Sequence, residues 1–217
     1  CLPALAETWN ISNGQGGFEE VYYVQVIGTA SGREVRKFGK PSAPGAGSQI
    51  ETVHNEGAEE ETVLSGSGDP RVYLYGHNAP VSVTLDGLTT KLEIKSSSAA
   101  CMSTAGDVTV DLRGDNTIQV TKEGAGIMLG GPLTISGSGM LHVGGPNGGI
   151  QVAKNTLTVA GGNLNVTNGG INAYGGTIQV SNGYLNVATN DIQASGGTIE
   201  VSGGILNAAT GKICASS

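Results

Sequence analysis

The chain of 217 residues sets 11 lysines and arginines against 18 aspartates and glutamates, a net charge of -7, and only 13% of its residues are charged. That balance leaves no basic stripe for phosphates and excludes a nucleic-acid partner. No apolar run approaches the ~18 residues of a membrane-spanning helix, so no helical membrane span is expected.

Glycine is over-represented, at 37 residues, without the every-third spacing of collagen. Charge is unevenly placed: from Gly124 to Ser217 the charged side chains are Lys154, Asp191, Glu200 and Lys212. The chain opens on Cys1, and Ala4-Leu5-Ala6 resembles the small-x-small cleavage site of a secretory signal peptide. Export, to the cell surface or the extracellular space, is the expectation.

Residues 1–80 are the least regular part. "ETWNISNG" suits the start of a first coil, and "EVYYVQVIG", "REVRKFG", "SQIETV", "ETVLSG" and "RVYLYG" read as strands. "GKPSAPGAGSQ" between them reads as a loop near 40–50. Most of the aromatic residues fall in this part, including Trp9, Phe18, Tyr22, Tyr23, Phe38, Tyr73 and Tyr75. This predicts wider, irregular β coils or a capping β-segment over 1–80.

From residue 81 onward the pattern becomes periodic. Apolar pairs spaced by two occur at Val83/Leu85, Leu92/Ile94 and Cys101/Ser103 in 81–105. They recur at Val108/Val110, Ile118/Val120 and Ile127/Leu129 in 106–130, and at Leu133/Ile135, Leu141/Val143 and Ile150/Val152 in 131–154. The last 63 residues form three ungapped blocks of 21, at 155–175, 176–196 and 197–217. The first of these places Leu157/Val159, Leu164/Val166 and Ile171/Ala173 in three seven-residue units, and the next two repeat it. An apolar pair with polar neighbours is the period of a strand with one buried face. Gly, Asn or Ser then permits a corner. Three short strands per coil predict an all-β parallel β-helix, or β-solenoid, over 81–217, rising about 4.8 Å per coil.

"TWNISNG" (8–14), "VTLDGL" (83–88), "RGDNTI" (113–118), "AGI" (125–127) and "LTISGSGMLHVGG" (133–145) resemble the glycine-rich repeat domains of bacterial cell-surface proteins, described as adhesin-like or carbohydrate-binding. The resemblance implies a right-handed parallel β-helix, export and a surface role. No binding residue carries over from it.

Chemistry-bearing clusters are sparse. His54, His77 and His142 are far apart, and His142 falls at an outward position. Asp86, Asp107, Asp111 and Asp115 lie in two adjacent coils. A Ca²⁺ site needs about six to eight oxygens, so turn and surface carboxylates are the preferred reading. Polysaccharide-acting β-helix enzymes need acid and base groups converging on a groove. Lys95, Arg113 and Lys122, with those aspartates, form no recognisable motif. The chain is read as non-catalytic, without cofactor or metal.

Two polar columns belong to the repeat. Thr156, Thr177 and Thr198 align, but the partner position reads Thr158, Gln179, Glu200, which breaks a flat ice-binding array. Asn165, Asn186 and Asn207 align as a structural amide ladder. Asn10 and Asn165 also sit in N-x-S/T sequons.

Cys101 is placed in the column of Ile127, Ile150, Ile171, Ile192 and Ile213, as a buried unpaired hydrophobe. Cys214 falls between Ile213 and Ala215 and should point outward. Cys1 and Cys214 at opposite ends permit an intermolecular disulfide. Cys1 is equally open to lipidation or to being a signal-segment remnant, and Cys214 to remaining free.

The last block is as regular as its neighbours, with no polar cap. An open rung exposes strand edges and a hydrophobic cross-section. The leading expectation is a self-assembling structural subunit of an extracellular fibre or surface layer, a head-to-tail homopolymer. The alternative is an adhesin module that stacks glycan on Tyr22, Tyr73, Tyr174 or Tyr184.

Overall fold

The computed structural model describes residues 7–10, 21–39, 49–57 and 61–216, with side chains placed for 23–38 and 61–216. The fold is an all-β solenoid of stacked parallel strands, and no helix occurs among the described residues.

The regular part follows from the seven-residue units. Strands β10 (Leu133–Gly137), β11 (Met140–Gly144) and β12 (Ile150–Ala153) make one circuit, preceded by β7 (Ala100–Arg113), β8 (Asp115–Val120) and β9 (Ala125–Gly130). Then follow β13 (Thr156–Val159), β14 (Asn163–Asn168) and β15 (Ile171–Tyr174), and β16 (Thr177–Val180), β17 (Tyr184–Val187) and β18 (Ile192–Ser195). The last circuit is β19 (Thr198–Val201), β20 (Ile205–Ala208) and β21 (Ile213–Ser216). From β10 onward each strand pairs in parallel with the strand three elements later. Three stacks result. They begin respectively at β10, β11 and β12 in this part of the chain.

Every apolar pair of the repeat points into the tube. Leu157 pairs with Ile178 and Ile178 with Ile199 in the first stack. Leu164, Leu185 and Leu206 align in the second, and Ile171, Ile192 and Ile213 in the third. Residues 157, 164, 171, 178, 185 and 192 are all fully buried. Each such side chain contributes about 1.5–3 kcal/mol of transfer free energy.

The N-terminal strands are longer and turn corners without a break. β5 (Thr62–Gly68) and β6 (Arg71–Leu92) precede β7. β6 aligns 72–76 with β7 in the third stack, 81–86 with β7 in the first, and 89–92 with β8 in the second. β1 (Glu7–Asn10) pairs in parallel with β5, extending the first stack. β2 (Val21–Thr29) pairs in parallel with β6, extending the third. β3 (Gly32–Gly39) and β4 (Gln49–Gly57) then continue as an antiparallel meander beyond β2. The strands expected at 1–80 are present. The loop expected near 40–50 lies largely outside the described residues, as does Cys1.

Register in 81–130 differs from the sequence expectation. Val81/Val83, not Val83/Leu85, align with Val108/Val110. Asn116/Ile118, not Ile118/Val120, align with Leu141/Val143. In the second stack Thr90/Leu92 align with Ile118/Val120. Met102/Thr104, not Cys101/Ser103, align with Ile127/Leu129. The physical reason is strand length. Where a strand carries three alternating apolar residues, a two-residue pattern fits in more than one frame.

Cys101 is therefore not in the isoleucine column, which Met102 occupies, although Cys101 is fully buried. It stands level with Gly126 and Gly149 at a corner whose residues face inward. A Cβ on Gly126 would lie 2.5 Å from Val143 Cγ1, and one on Gly149 2.2 Å from Val166 Cγ1. At the Cys101 level the second stack offers Thr90, whose hydroxyl lies 3.5 Å from Cys101 Sγ.

Candidate interaction surfaces

Outward positions alternate with the buried columns, so each stack presents a flat face of regularly spaced side chains. On the third stack the N-terminal rungs carry an aromatic cluster. Tyr23 and Phe38 stack at 4.1 Å between ring centroids, Tyr23 meets Tyr73 edge-on at 5.7 Å, and Tyr73 lies parallel to Tyr75 at 6.0 Å. β2 and β6 run side by side, and Tyr73 and Tyr75 are two residues apart on one face. Burial, then the neighbouring Tyr73 and Tyr23, raises the Tyr75 pKa above 10.0.

The four tyrosines singled out from sequence do not converge. Tyr73 joins the aromatic cluster. Tyr174 stands on the third stack, 60% exposed. Tyr184 is on the second stack, half-buried, paired with Asn163 and Ile205. Tyr22 lies in β2, with its side chain outside the described residues. Tyr23, Phe38 and Tyr75 were in the aromatic-rich segment but not among the candidates. Their signal was the i, i+2 spacing of Tyr73 and Tyr75 on one strand.

Charged groups pair locally. Arg113 holds Glu61 through Nη2 at 2.5 Å and Nη1 at 3.2 Å, and Thr84 Oγ1 donates to Glu61 at 2.6 Å. Asp111 accepts from Ser136 Oγ at 3.1 Å and lies 3.9 Å from Arg113 Nε. Lys122 donates to Glu93 at 2.7 Å and lowers its pKa. Among the described residues no three His, Cys, Asp or Glu gather closely enough to hold a metal ion. The polar columns behave as ladders: Asn207 Nδ2 donates to Asn186 Oδ1 at 2.7 Å, and Gln179 Nε2 to Glu200 Oε2 at 3.2 Å.

Near the C-terminal end a notch of about 270 Å³ opens between the second and third stacks, lined by Gly169, Asn172, Asn190, Asp191 and Gln193. Sequence reasoning passed over these residues because each reads as an ordinary corner amide or glycine. Asp191 accepts the Lys212 amide N–H at 2.8 Å and Gln193 Nε2 at 3.3 Å, which together hold its carboxyl below 3.8.

The two cysteines among the described residues behave differently. Cys214 is exposed on β21, opposite Gln193 of β18, and is free. Cys101 is free and buried, and desolvation pushes its thiol up to about 11.

The final rung is chemically continuous with the tube but uncovered. Val201 and Ile213, in columns that are fully buried one rung earlier at Val180 and Ile192, are 51% and 49% exposed. Among the described residues β19, β20 and β21 each pair on one edge only. At the opposite end, β4 pairs with β3 alone and β1 with β5 alone among the described residues. Comparison with family models, with curated proteins and with solved structures finds no match for this chain.

Proposed function

We propose that this chain is a non-catalytic, exported structural protein, a subunit that stacks end to end into an extracellular fibre or surface layer. The observation that carries the reading is the uncovered β19–β21 rung. Its inward positions remain apolar and in register with the core, while its strand edges are unpaired among the described residues. An open parallel edge over a hydrophobic cross-section is a template for a further strand.

The opposite end supplies a compatible partner. Two antiparallel turns bring β4 back to the direction of β2, and β2 runs parallel to the third stack. A second copy's β4 is therefore oriented to accept β21 in parallel pairing. A contact between two different ends does not close on itself and propagates as a filament. The low charge of the last three rungs leaves little repulsion against such stacking. Cys214, exposed on β21, is sited to reinforce the joint by a disulfide with the next copy.

Negative-stain electron microscopy of the full chain at increasing concentration, with and without reductant, tests this. Filaments whose width matches one solenoid are expected. Discrete single particles at every concentration would contradict the reading.

A further inference from the structure

The notch at the corner between the second and third stacks has a feature that fibre stacking does not use. Its floor is bare because the corner residues are Gly169 and Gly170, with φ of 88° and 66°. A Cβ on Gly169 would fall 2.0 Å from the Gly145 carbonyl oxygen, so no side chain fills the space from that position. The walls are amides and one carboxylate: Asn172, Asn190, Asp191 and Gln193.

Their hydrogen-bonding capacity is only partly used. Asn190 Oδ1 accepts the Gly169 N–H at 3.3 Å, which leaves its NH₂ group without a protein partner. The Asn172 amide makes no side-chain hydrogen bond, and Gln193 donates to Asp191 while its carbonyl oxygen remains unused. The notch thus offers donors at Asn172 and Asn190, and acceptors at Asn172, Gln193 and Asp191 Oδ2. Mixed donors and acceptors a few ångströms apart suit vicinal hydroxyls, which donate and accept at once. A single carboxylate among amides is too few charges for a divalent cation.

Tyr174 completes the arrangement. It sits two residues beyond Asn172 on the same strand, so both point outward from one face, about 7 Å apart. At 60% exposed it is a large aromatic that the fold leaves uncovered. An aromatic face beside a polar notch matches a ligand with an apolar C–H face and a polar edge. We propose that Tyr174, Asn172, Asn190, Asp191 and Gln193 bind a neutral pyranose unit of a saccharide. The ring lies on Tyr174 and its hydroxyls enter the notch. The site is independent of end-to-end stacking: its residues lie on β15, β18 and the corner before β18, not on the β21 edge.

The probe is a panel of neutral methyl glycosides and their short oligomers, titrated into the full ¹⁵N-labelled chain and followed by amide and side-chain NH₂ shifts. Saturable shifts are expected at Asn172, Asn190, Asp191 and Gln193. Tyr174→Ala and Asn172→Ala are each expected to weaken binding at least tenfold. Tyr184→Ala, on another face, leaves it unchanged. Unshifted spectra of the three variants away from the substitution establish that each is folded. No saturable binding by any glycoside, shifts confined to the Tyr23–Tyr73–Tyr75 cluster, or binding indifferent to both Tyr174→Ala and Asn172→Ala would overturn the proposal. So would Ca²⁺ alone producing the same shifts.

Discussion

Ile192 and Ile213 are consecutive members of one column, paired Cα to Cα, yet Ile192 is fully buried and Ile213 keeps 49% of its surface exposed. Sequence and local geometry are the same at both. What differs is the presence of a rung beyond. Burial in a solenoid is conferred by the neighbouring coil rather than by residue type. Ile192→Ala should therefore cost about 2–5 kcal/mol, and Ile213→Ala in the monomer well under half of that. Urea unfolding of the two variants at low protein concentration checks the difference.

Asn116 replaces an aliphatic residue in the second stack. It pairs with Leu141 in the column that continues through Leu164, and it is fully buried. Its Oδ1 accepts the Leu88 N–H at 2.9 Å, and its Nδ2 donates to the carbonyls of Leu85, Arg113 and Met140 at 3.3, 2.8 and 3.1 Å. The amide satisfies backbone groups at a place where strands turn the corner. Asn116→Leu matches the column's usual residue but strands those groups, and should destabilise by about 1–3 kcal/mol. A gain in stability for Asn116→Leu in urea titration would show the amide to be dispensable.

Thr104 is the converse case. It lies between Leu74 and Leu129 in the third stack, 3% exposed, and its Oγ1 has no hydrogen-bond partner. Thr104→Val keeps the shape and removes the buried hydroxyl. It should stabilise the fold by about 1 kcal/mol, read as a rise in thermal midpoint. An unchanged or lowered midpoint would mean the hydroxyl is satisfied in solution.

The thiols give a pH-dependent prediction. Burial favours the neutral form of Cys101, so its folded pKa, about 11, lies above the usual 9.0. Its contribution to stability is complete below the unfolded pKa near 9. It is lost as pH rises toward 11, because the unfolded thiol ionises first. Cys101→Ala should flatten the stability decline over that interval. Under native conditions near pH 8, a thiol reagent should modify Cys214 rapidly and Cys101 only on unfolding. Equal rates at both would place Cys101 in a solvent-accessible state.

The three 21-residue blocks were fully legible. One apolar pair per seven residues, separated by glycine or asparagine, admits one register, and Leu157, Ile178 and Ile199 align as read. Residues 81–130 were not, because Val81, Val83 and Leu85 form a run longer than the repeat's pair, and only contacts with the next coil choose the frame. The meander of β2–β4 was legible as strands but not as antiparallel ones, since direction depends on the partner chosen in three dimensions. The notch at Gly169 left no mark in the sequence. It arises where residues from two successive rungs meet, and no linear motif records that.

The most direct test of end-to-end stacking is sedimentation velocity of the full chain across a wide concentration range, alongside the double variant Val201→Lys, Ile213→Lys. Both positions are about half exposed in the single chain, so lysine there is tolerated by the monomer, whereas in a stacked joint it would bury charge against an apolar cross-section. The account predicts that the native chain forms progressively larger species with concentration while the variant stays monomeric at all of them. A native chain that sediments as a monomer throughout, or a variant that assembles as readily as the native chain, would contradict it.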